Sequence, residues 1–216
     1  MTLHQITQTP EASRDQSWEN RFFQALSKEK INVLSAEPQS GPDGWPYLLT
    51  ETSDQATEAT SQIIHWLTDK GIGLVVNPMK EYPDYVFTYG MIWSFKETGY
   101  FFKPLEKVQA ETAAAGAVEF DNMEVQAGNP TTEYLPSYVR KVLQDFFRDQ
   151  SILRPKILMV STDGGPNYDL AFSLESLGNP PESEHAGIGE AISWFLPPHY
   201  SLLLVSEKGL PPFYEL

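Results

Sequence analysis

An aromatic alternation between Gly71 and Phe102 constrains the fold of this chain more than any other stretch. From residue 85 to residue 95 large apolar side chains occupy every second position: Tyr85, Phe87, Tyr89, Met91, Trp93 and Phe95. Side chains two residues apart point to the same face of a β-strand, so this period predicts one long strand with an aromatic face. A turn at 97–99 and a further strand over 100–102 are predicted to follow.

Helical and strand patterns alternate through the rest of the first half. Apolar residues at helical spacing predict a helix over 13–28, opened by a Ser13–Gln16 capping box, and a second helix from Ser53 or Asp54 to Lys70. Short apolar runs predict strands over 31–35, 47–50 and 72–76. The predicted order is helix, strand, strand, helix, strand.

The second half repeats this order. Pro136 opens a predicted helix with apolar residues at helical spacing, and a helix capped by Ser183 is ended by the proline pair at 197–198. Strands are predicted over 156–161, 168–174 and 200–206, with a hairpin turn over 163–167. Trp66 and Trp194 each precede a strand core by eight residues. This match is typical of a weak internal duplication, and independent patterning of two similar halves explains it equally well.

The predicted fold class is therefore α+β, with two lobes. Each lobe packs helices on a mostly antiparallel or mixed sheet. The predicted boundaries are a flexible tail over 1–12, an N-terminal lobe over 13–108, a linker over 109–134 and a C-terminal lobe over 135–216. The linker is predicted to contain one short strand around 118–125.

Charge and composition exclude several classes of function. The net charge is −14, and no Lys or Arg occurs between Ile157 and Glu207. Phosphate backbones and anionic lipid surfaces are bound through Lys and Arg, so we expect neither nucleic acid nor a membrane as partner. The acidity serves either solubility or a basic protein partner. The absence of cysteine excludes disulfides and thiolate metal sites.

No catalytic motif emerges from the sequence. It contains no P-loop, no GxSxG elbow and no histidine pair at metal-binding spacing. Asp163, Asp169 and Glu175 supply oxygen ligands, but they lack the spacing of a calcium loop, and Asp163 is typical of a turn. We therefore predict no catalytic residue, no cofactor and no metal site. No signal sequence or apolar run of about 20 residues is visible, which predicts a cytoplasmic protein.

The aromatic alternation has two interpretations. Large apolar side chains mostly lie in the core, whereas Tyr and Trp also form the anchors of protein interfaces. One helix is too small to cover the whole predicted strand, so its ends are candidate binding positions. The candidate binding residues are Tyr82, Tyr85, Tyr89, Trp93 and, at the predicted hairpin turn, Asp163.

Four segments resemble the bacterial enhanced serine sensitivity (SseB) family. They are GLVVNP over 73–78, VQAGNPTTEYLPSYVRKVL over 125–143, PKILMVS over 155–161 and the closing PPFYEL. The resemblance implies a cytoplasmic bacterial protein of two α+β lobes, and it carries over no catalytic residue. The aromatic stretch and Leu216 have no counterpart in that pattern.

Three hypotheses about function follow. The first is a non-enzymatic interaction or regulatory protein with an acidic, aromatic-bearing surface. The second is an acidic chaperone for a basic or secreted client, which predicts a homodimer with an exposed groove. The third is an enzyme that uses carboxylates such as Glu81, Asp84 or Asp163 beside Tyr85.

Overall fold

The computed structural model describes residues 1–102, 126–161 and 168–216. They belong to two compact units, Met1–Phe102 and Lys103–Leu216, and each unit contains helices and a mixed sheet. The predicted α+β class with two lobes is confirmed. The strand predicted around 118–125 and the turn predicted over 163–167 lie outside the described residues.

The first unit is built on one sheet. Its helices are α1 (Leu3–Thr7), α2 (Gln16–Leu26), α3 (Thr60–Leu67) and α4 (Tyr89–Thr98). Its strands are β1 (Lys30–Val33), β2 (Gln39–Ser40), β3 (Pro46–Glu51), β4 (Glu58–Ala59), β5 (Gly73–Val76) and β6 (Tyr85–Phe87). They pair in the order β4-β1-β3-β5-β6, with β2 against β3. Strands β3 and β5 are parallel, whereas β1 pairs antiparallel with β3 and β6 antiparallel with β5.

The core of this unit lies between one face of the sheet and the helices. Leu48, Leu74 and Phe87 stand opposite one another on adjacent strands, and all three are buried. Phe22 of α2 packs onto this face and stacks on Trp18 at 5.0 Å between ring centroids. Burial of these large side chains fixes the register of the sheet, because a slip of one residue would turn them to the other face.

The prediction of a single strand from Tyr85 to Phe95 is wrong. Strand β6 ends at Phe87, and the side chain of Thr88 accepts a hydrogen bond from the backbone N–H of Met91 to begin α4. Gly99 ends α4 in the left-handed conformation, at φ 77°. Residues 100–102, which were predicted to form a strand, follow this cap without strand structure.

Burial explains why the two-residue period of the aromatic side chains wrongly predicted a strand. Six successive residues from Tyr89 to Ser94 are buried in α4. A helix that is covered on all sides needs no polar face, so its sequence lacks the 3.6-residue stripe that marks a surface helix. The aromatic residues at odd positions then imitate strand alternation.

The predicted flexible tail over 1–12 is also corrected by the structure. Thr2 and Gln5 form a capping box that opens α1, and Leu3 and Ile6 are 1% and 3% exposed. Two apolar side chains buried in the core hold this segment against the first unit, because exposing both would cost on the order of 3–6 kcal/mol. A helix of only five residues is too short to show helical periodicity, so the sequence does not predict this attachment.

Two predicted helices of this unit begin later in the structure than the sequence predicted. The carboxylate of Asp15, rather than Ser13, caps α2 and accepts the N–H of Trp18 at 2.7 Å. Helix α3 begins at Thr60, because Glu58–Ala59 form β4 against β1. The pairing of β4 with β1 thus outweighs the helical pattern that begins at residue 53 of the sequence.

The second unit has a sheet of the same kind. Its helices are α5 (Ser137–Asp149) and α6 (Glu182–Ser193), and its strands are β7 (Gln126–Gly128), β8 (Lys156–Ser161), β9 (Asp169–Ser173), β10 (Ser201–Val205) and β11 (Tyr214–Glu215). The order is β10-β9-β8-β11, with β7 also against β8. Strands β8 and β9 are antiparallel, and β9 and β10 are parallel. Because β7 pairs with β8, the predicted linker over 109–134 is wrong for 126–128.

The two units share the order and strand directions of five elements. In each, a helix precedes an antiparallel strand pair, and a second helix then leads to a strand parallel to the second of the pair: α2-β1-β3-α3-β5 and α5-β8-β9-α6-β10. The matching tryptophans do not share an environment, since Trp66 is 46% exposed and Trp194 is 7% exposed. None of the described helices has the length and apolar content needed to cross a membrane.

Candidate functional site

The connection between β5 and β6 carries the most distinctive surface of the first unit. It runs from Asn77 to Asp84, and we call it the Asn77–Asp84 loop. Asn77 lies at φ 55°, a left-handed conformation that asparagine adopts more readily than most residues. Its backbone N–H donates to the carbonyl of Thr50 at 2.8 Å, so the loop begins in a fixed position at the end of the parallel pair β3–β5.

An ion cluster of Arg14, Lys80, Asp84 and Asn77 holds the other end of the loop. The Asp84 side chain is 1% exposed. It accepts hydrogen bonds from Arg14 Nη2 at 2.6 Å, from Lys80 Nζ at 2.7 Å and from Asn77 Nδ2. A carboxylate buried to this degree would be costly without opposite charges, and here it has two cations and an amide as partners.

The ion cluster also fastens α1 to the loop. Lys80 Nζ and Arg14 Nη2 donate to the carbonyl of Thr7 at 2.9 and 3.3 Å. The Arg14 guanidinium lies 4.5 Å from the ring centroid of Trp18. Asn77 Oδ1 accepts the N–H of Thr52 at 2.8 Å. The loop is therefore tied to three separate parts of the chain.

These contacts give Asp84 a structural role. Both of its carboxylate oxygens accept hydrogen bonds from cations or the amide, and the side chain is removed from solvent. A general base or metal ligand needs a lone pair directed at its substrate or ion. The arrangement instead restrains the loop, and removing Asp84 would leave the mostly buried Arg14 and the partly exposed Lys80 without their counter-charge.

The outer side of the loop presents two large apolar side chains to solvent. Met79 is 88% exposed and Tyr82 is 64% exposed. Glu81 between them is also exposed and adds negative charge. A restrained loop with exposed Met and Tyr side chains has the character of an interface anchor, because little backbone conformational entropy remains to be lost on binding.

Of the predicted binding residues that lie in the described part of the chain, Tyr82 is the most exposed, at 64%. Tyr85 is half-buried, and its ring stacks on Phe22 at 5.6 Å between centroids. Its hydroxyl donates to Glu19 Oε1 at 2.7 Å. Burial, followed by this hydrogen bond, raises the pKa of Tyr85 above its ordinary value.

Two other predicted binding residues belong to the core. Tyr89 is 0% exposed and Trp93 is 2% exposed, so the prediction that they form a binding surface is wrong. The Tyr89 hydroxyl donates to the carbonyl of Thr68 at 2.6 Å. Burial, and to a smaller extent Asp69, raises the pKa of Tyr89. Asp163 lies outside the described residues.

A second polar cluster lies at the ends of β9 and β10 in the second unit. Glu207 accepts hydrogen bonds from the Ser173 hydroxyl at 2.7 Å and from Lys156 Nζ at 3.0 Å. Glu175 accepts from the hydroxyl of Ser206 and from the N–H of Glu207. Desolvation acts to raise the pKa of Glu175, but several hydrogen bonds together lower it; the hydrogen bond from Ser173 is the first cause that lowers the pKa of Glu207. These hydrogen bonds tie the segments that follow β9 and β10 to each other.

An open groove lies between α3 and the β1–β4 edge of the first unit. Its volume is about 650 Å³, and it is lined mainly by apolar side chains that include Val33, Ile63 and the half-exposed Trp66. The lining also contains one cation, Lys30, and one carboxylate, Glu58. The volume is in the range of small-ligand sites.

Met79, Arg14 and Lys80 were missed by sequence reasoning. The four-residue spacing of Lys80 and Asp84 was visible, but Arg14 is distant in sequence and carries no local signal. Within residues 1–102, 126–161 and 168–216, no cluster of three or more His, Asp or Glu residues is placed to hold a metal ion. Comparison of the chain with protein-family models, with curated proteins and with solved structures finds no match.

Proposed function

We propose that this chain is a non-enzymatic interaction protein that binds a protein partner through the Asn77–Asp84 loop. Met79 and Tyr82 are the apolar anchors in this proposal. The observation that carries it is their exposure, 88% and 64%, on a loop restrained by a buried ion cluster. Exposed aromatic and thioether side chains on a rigid support are typical of interface centres.

The charge of the chain supports a basic partner. The net charge is −14; Lys80 and Glu81 both lie between the two anchors, and the charge of Lys80 is paired with Asp84. Like charges oppose association and unlike charges favour it, so a partner with Lys and Arg around an apolar pocket fits this surface. In this proposal the chain is an SseB-like regulatory protein of the bacterial cytoplasm.

Affinity capture with matched variants tests the proposal. A Met79→Ser/Tyr82→Ser double variant is compared with Leu153→Ser, which removes another exposed apolar side chain, 80% exposed, from the second unit. We expect a partner that elutes with salt, is retained by Leu153→Ser and is lost with the double variant. Truncating two interface anchors costs about 2 kcal/mol each, or roughly a thousandfold in affinity together.

Three outcomes contradict this proposal. They are the absence of a stoichiometric partner under several growth conditions, retention of the same partner by the double variant, and equal loss in both variants. Circular dichroism of each variant establishes that its fold is intact before capture.

An acidic chaperone is a second candidate, and the groove beside Trp66 is the observation that favours it. An extended apolar client segment fits a groove of about 650 Å³ with a half-exposed indole in its wall. Client protection that falls in Trp66→Ser and survives in Met79→Ser/Tyr82→Ser would favour this candidate over the first.

A further inference from the structure

Strand β10 forms an edge of the sheet in the second unit. Among the strands that the structure describes, it pairs with β9 alone. Its sequence is SLLLV, and Leu202, Leu203 and Leu204 are each partly exposed. Edge strands are usually protected by Lys, Pro or inward-pointing charges, and β10 contains none of these. An uncharged, leucine-rich edge is a surface suited to pairing with another strand.

The backbone of β10 directs defined groups outward. The carbonyl of Val205 accepts the N–H of Leu174, which follows β9, at 2.9 Å. The peptide groups of Val205, Leu203 and Ser201 therefore face β9, because alternate residues of a strand direct their backbone groups to the same side. Leu202 and Leu204 direct their N–H and C=O groups to the open side. Pairing with another strand requires outward-facing N–H and C=O groups such as these.

In the first unit, a strand of the same chain covers the edge that corresponds to β10. Strand β5 has the topological position of β10, and β6 covers it in antiparallel orientation through Leu74–Phe87 and Val76–Tyr85. In the second unit, the strand that follows β10 in the chain is β11, which pairs instead with β8 at the other side of the sheet. The edge of β10 thus lacks, among the described strands, the antiparallel partner that its counterpart has.

We propose that a second copy of this chain covers β10, by antiparallel pairing of β10 with itself around a two-fold axis at Leu203. In this register Leu202 of one copy stands opposite Leu204 of the other, and each exchanges both of its outward hydrogen bonds. No charge of one strand meets a charge of the other, because β10 is uncharged along its length. The dimer joins the two sheets into one continuous sheet.

Helix α6 packs beside β10, where a Cβ at Gly189 would lie 3.7 Å from Leu202 Cδ2. It leads into β10, and of its twelve residues Ile192 alone is buried. Ala186 and Gly187 are exposed, and a Cβ built at Gly187 meets nothing within 4 Å. The exposed face of α6 is mainly polar or small, as in an ordinary surface helix, so the dimer is inferred from β10 itself.

Charge substitutions at the two-fold axis test the register. Leu203 lies opposite Leu203 of the second copy, with Cα atoms about 4.5 Å apart in a pair without direct hydrogen bonds. Leu203→Lys and Leu203→Glu each place two like charges against each other, so each variant alone is expected to lose the dimer in light scattering and sedimentation. An equimolar mixture of the two is expected to recover a heterodimer, because the charges are then opposite.

The wild-type dimer is expected to strengthen as salt is added, because salt screens the repulsion between two chains of charge −14. This dependence is opposite to that of the basic partner proposed for the Asn77–Asp84 loop. A wild-type chain that is monomeric at all concentrations overturns the proposal. So do charge variants that both remain dimeric, or folded, monomeric variants that fail to associate when mixed.

Discussion

Replacement of Asp84 by Asn tests whether the buried ion cluster restrains the first unit. The substitution keeps the shape of the side chain but removes the charge between Arg14 and Lys80. The side chains of these cations are 15% and 39% exposed. Each cation keeps its hydrogen bond to the carbonyl of Thr7, but its charge is no longer neutralised.

The size of the effect follows from this geometry. Removing one partner of a buried ion pair costs about 3–5 kcal/mol, because the other charge stays behind. Lys80 is partly solvated and relaxes toward water, so we expect the lower end, about 3 kcal/mol. For a chain of this size that loss corresponds to a fall in melting temperature of about 10 °C.

Urea unfolding followed by tryptophan fluorescence measures the change, with Trp18 beside Arg14 as a local reporter. The matched control is Asp145→Asn, which removes a carboxylate from an exposed pair with Arg148, 51% and 61% exposed. An exposed pair contributes about 0–1 kcal/mol. If Asp84→Asn and Asp145→Asn lower the free energy of unfolding equally, the ion cluster does not restrain the unit.

Two other substitutions test packing and pH dependence. Gly73→Ala is expected to destabilise the chain by about 1–3 kcal/mol in the same urea assay, because the new Cβ would lie 2.6 Å from the backbone carbonyl oxygen of Phe87. The control is Gly187→Ala, which is expected to be neutral or stabilising because no atom lies within 4 Å of the new Cβ. Hydrogen bonds, that from Ser173 first, hold the pKa of Glu207 below the ordinary 4.5, so its contribution to stability is present above about pH 4.5 and is lost as pH falls through the folded pKa. Glu207→Gln is therefore expected to flatten the loss of stability between pH 4.5 and lower values, and an unchanged pH profile would contradict this assignment.

The sequence predicted the repeated elements of both units because their signals are local. The strand predicted over 156–161 coincides with β8, and the apolar spacing after Pro136 identified α5. In each case, one buried face repeats at the period of its own secondary structure. The parallel pairing of β3 with β5 has no such signal, since it depends on how α3 packs across the sheet.

Prediction failed where tertiary burial removed the amphipathic pattern. The first six residues of α4 are all buried, and the signals that define the helix are single residues, the Thr88 cap and the left-handed Gly99. Both were visible in the sequence, but the aromatic alternation outweighed them. A cap at each end of a ten-residue stretch is better evidence for a helix than alternation of large side chains, because buried helices and buried strands are both apolar.

The candidate site could be predicted only in part. Tyr82 was recognised because it precedes the aromatic stretch in a proline-rich loop. Arg14 was beyond reach, because its contact with Asp84 spans 70 residues and depends on the buried N-terminal helix that was expected to be a tail. A long-range ion pair has no periodicity in sequence, so the restraint on the loop appears only when the fold brings the two segments together.

One topological difference between the units underlies both proposals. After β5, the chain forms the Asn77–Asp84 loop and returns as β6 along the outer edge, so covering that edge is what creates the exposed loop. After β10, it pairs as β11 with β8 and leaves the equivalent edge without a described strand. The same framework thus has a closed edge with a projecting loop in one unit and, among the strands described, an open edge in the other. A closed edge suits recognition by side chains such as Met79 and Tyr82, whereas an open edge suits recognition by backbone hydrogen bonds. We therefore expect Met79→Ser/Tyr82→Ser to leave self-association unchanged, and charges at Leu203 to leave partner binding by the first unit unchanged.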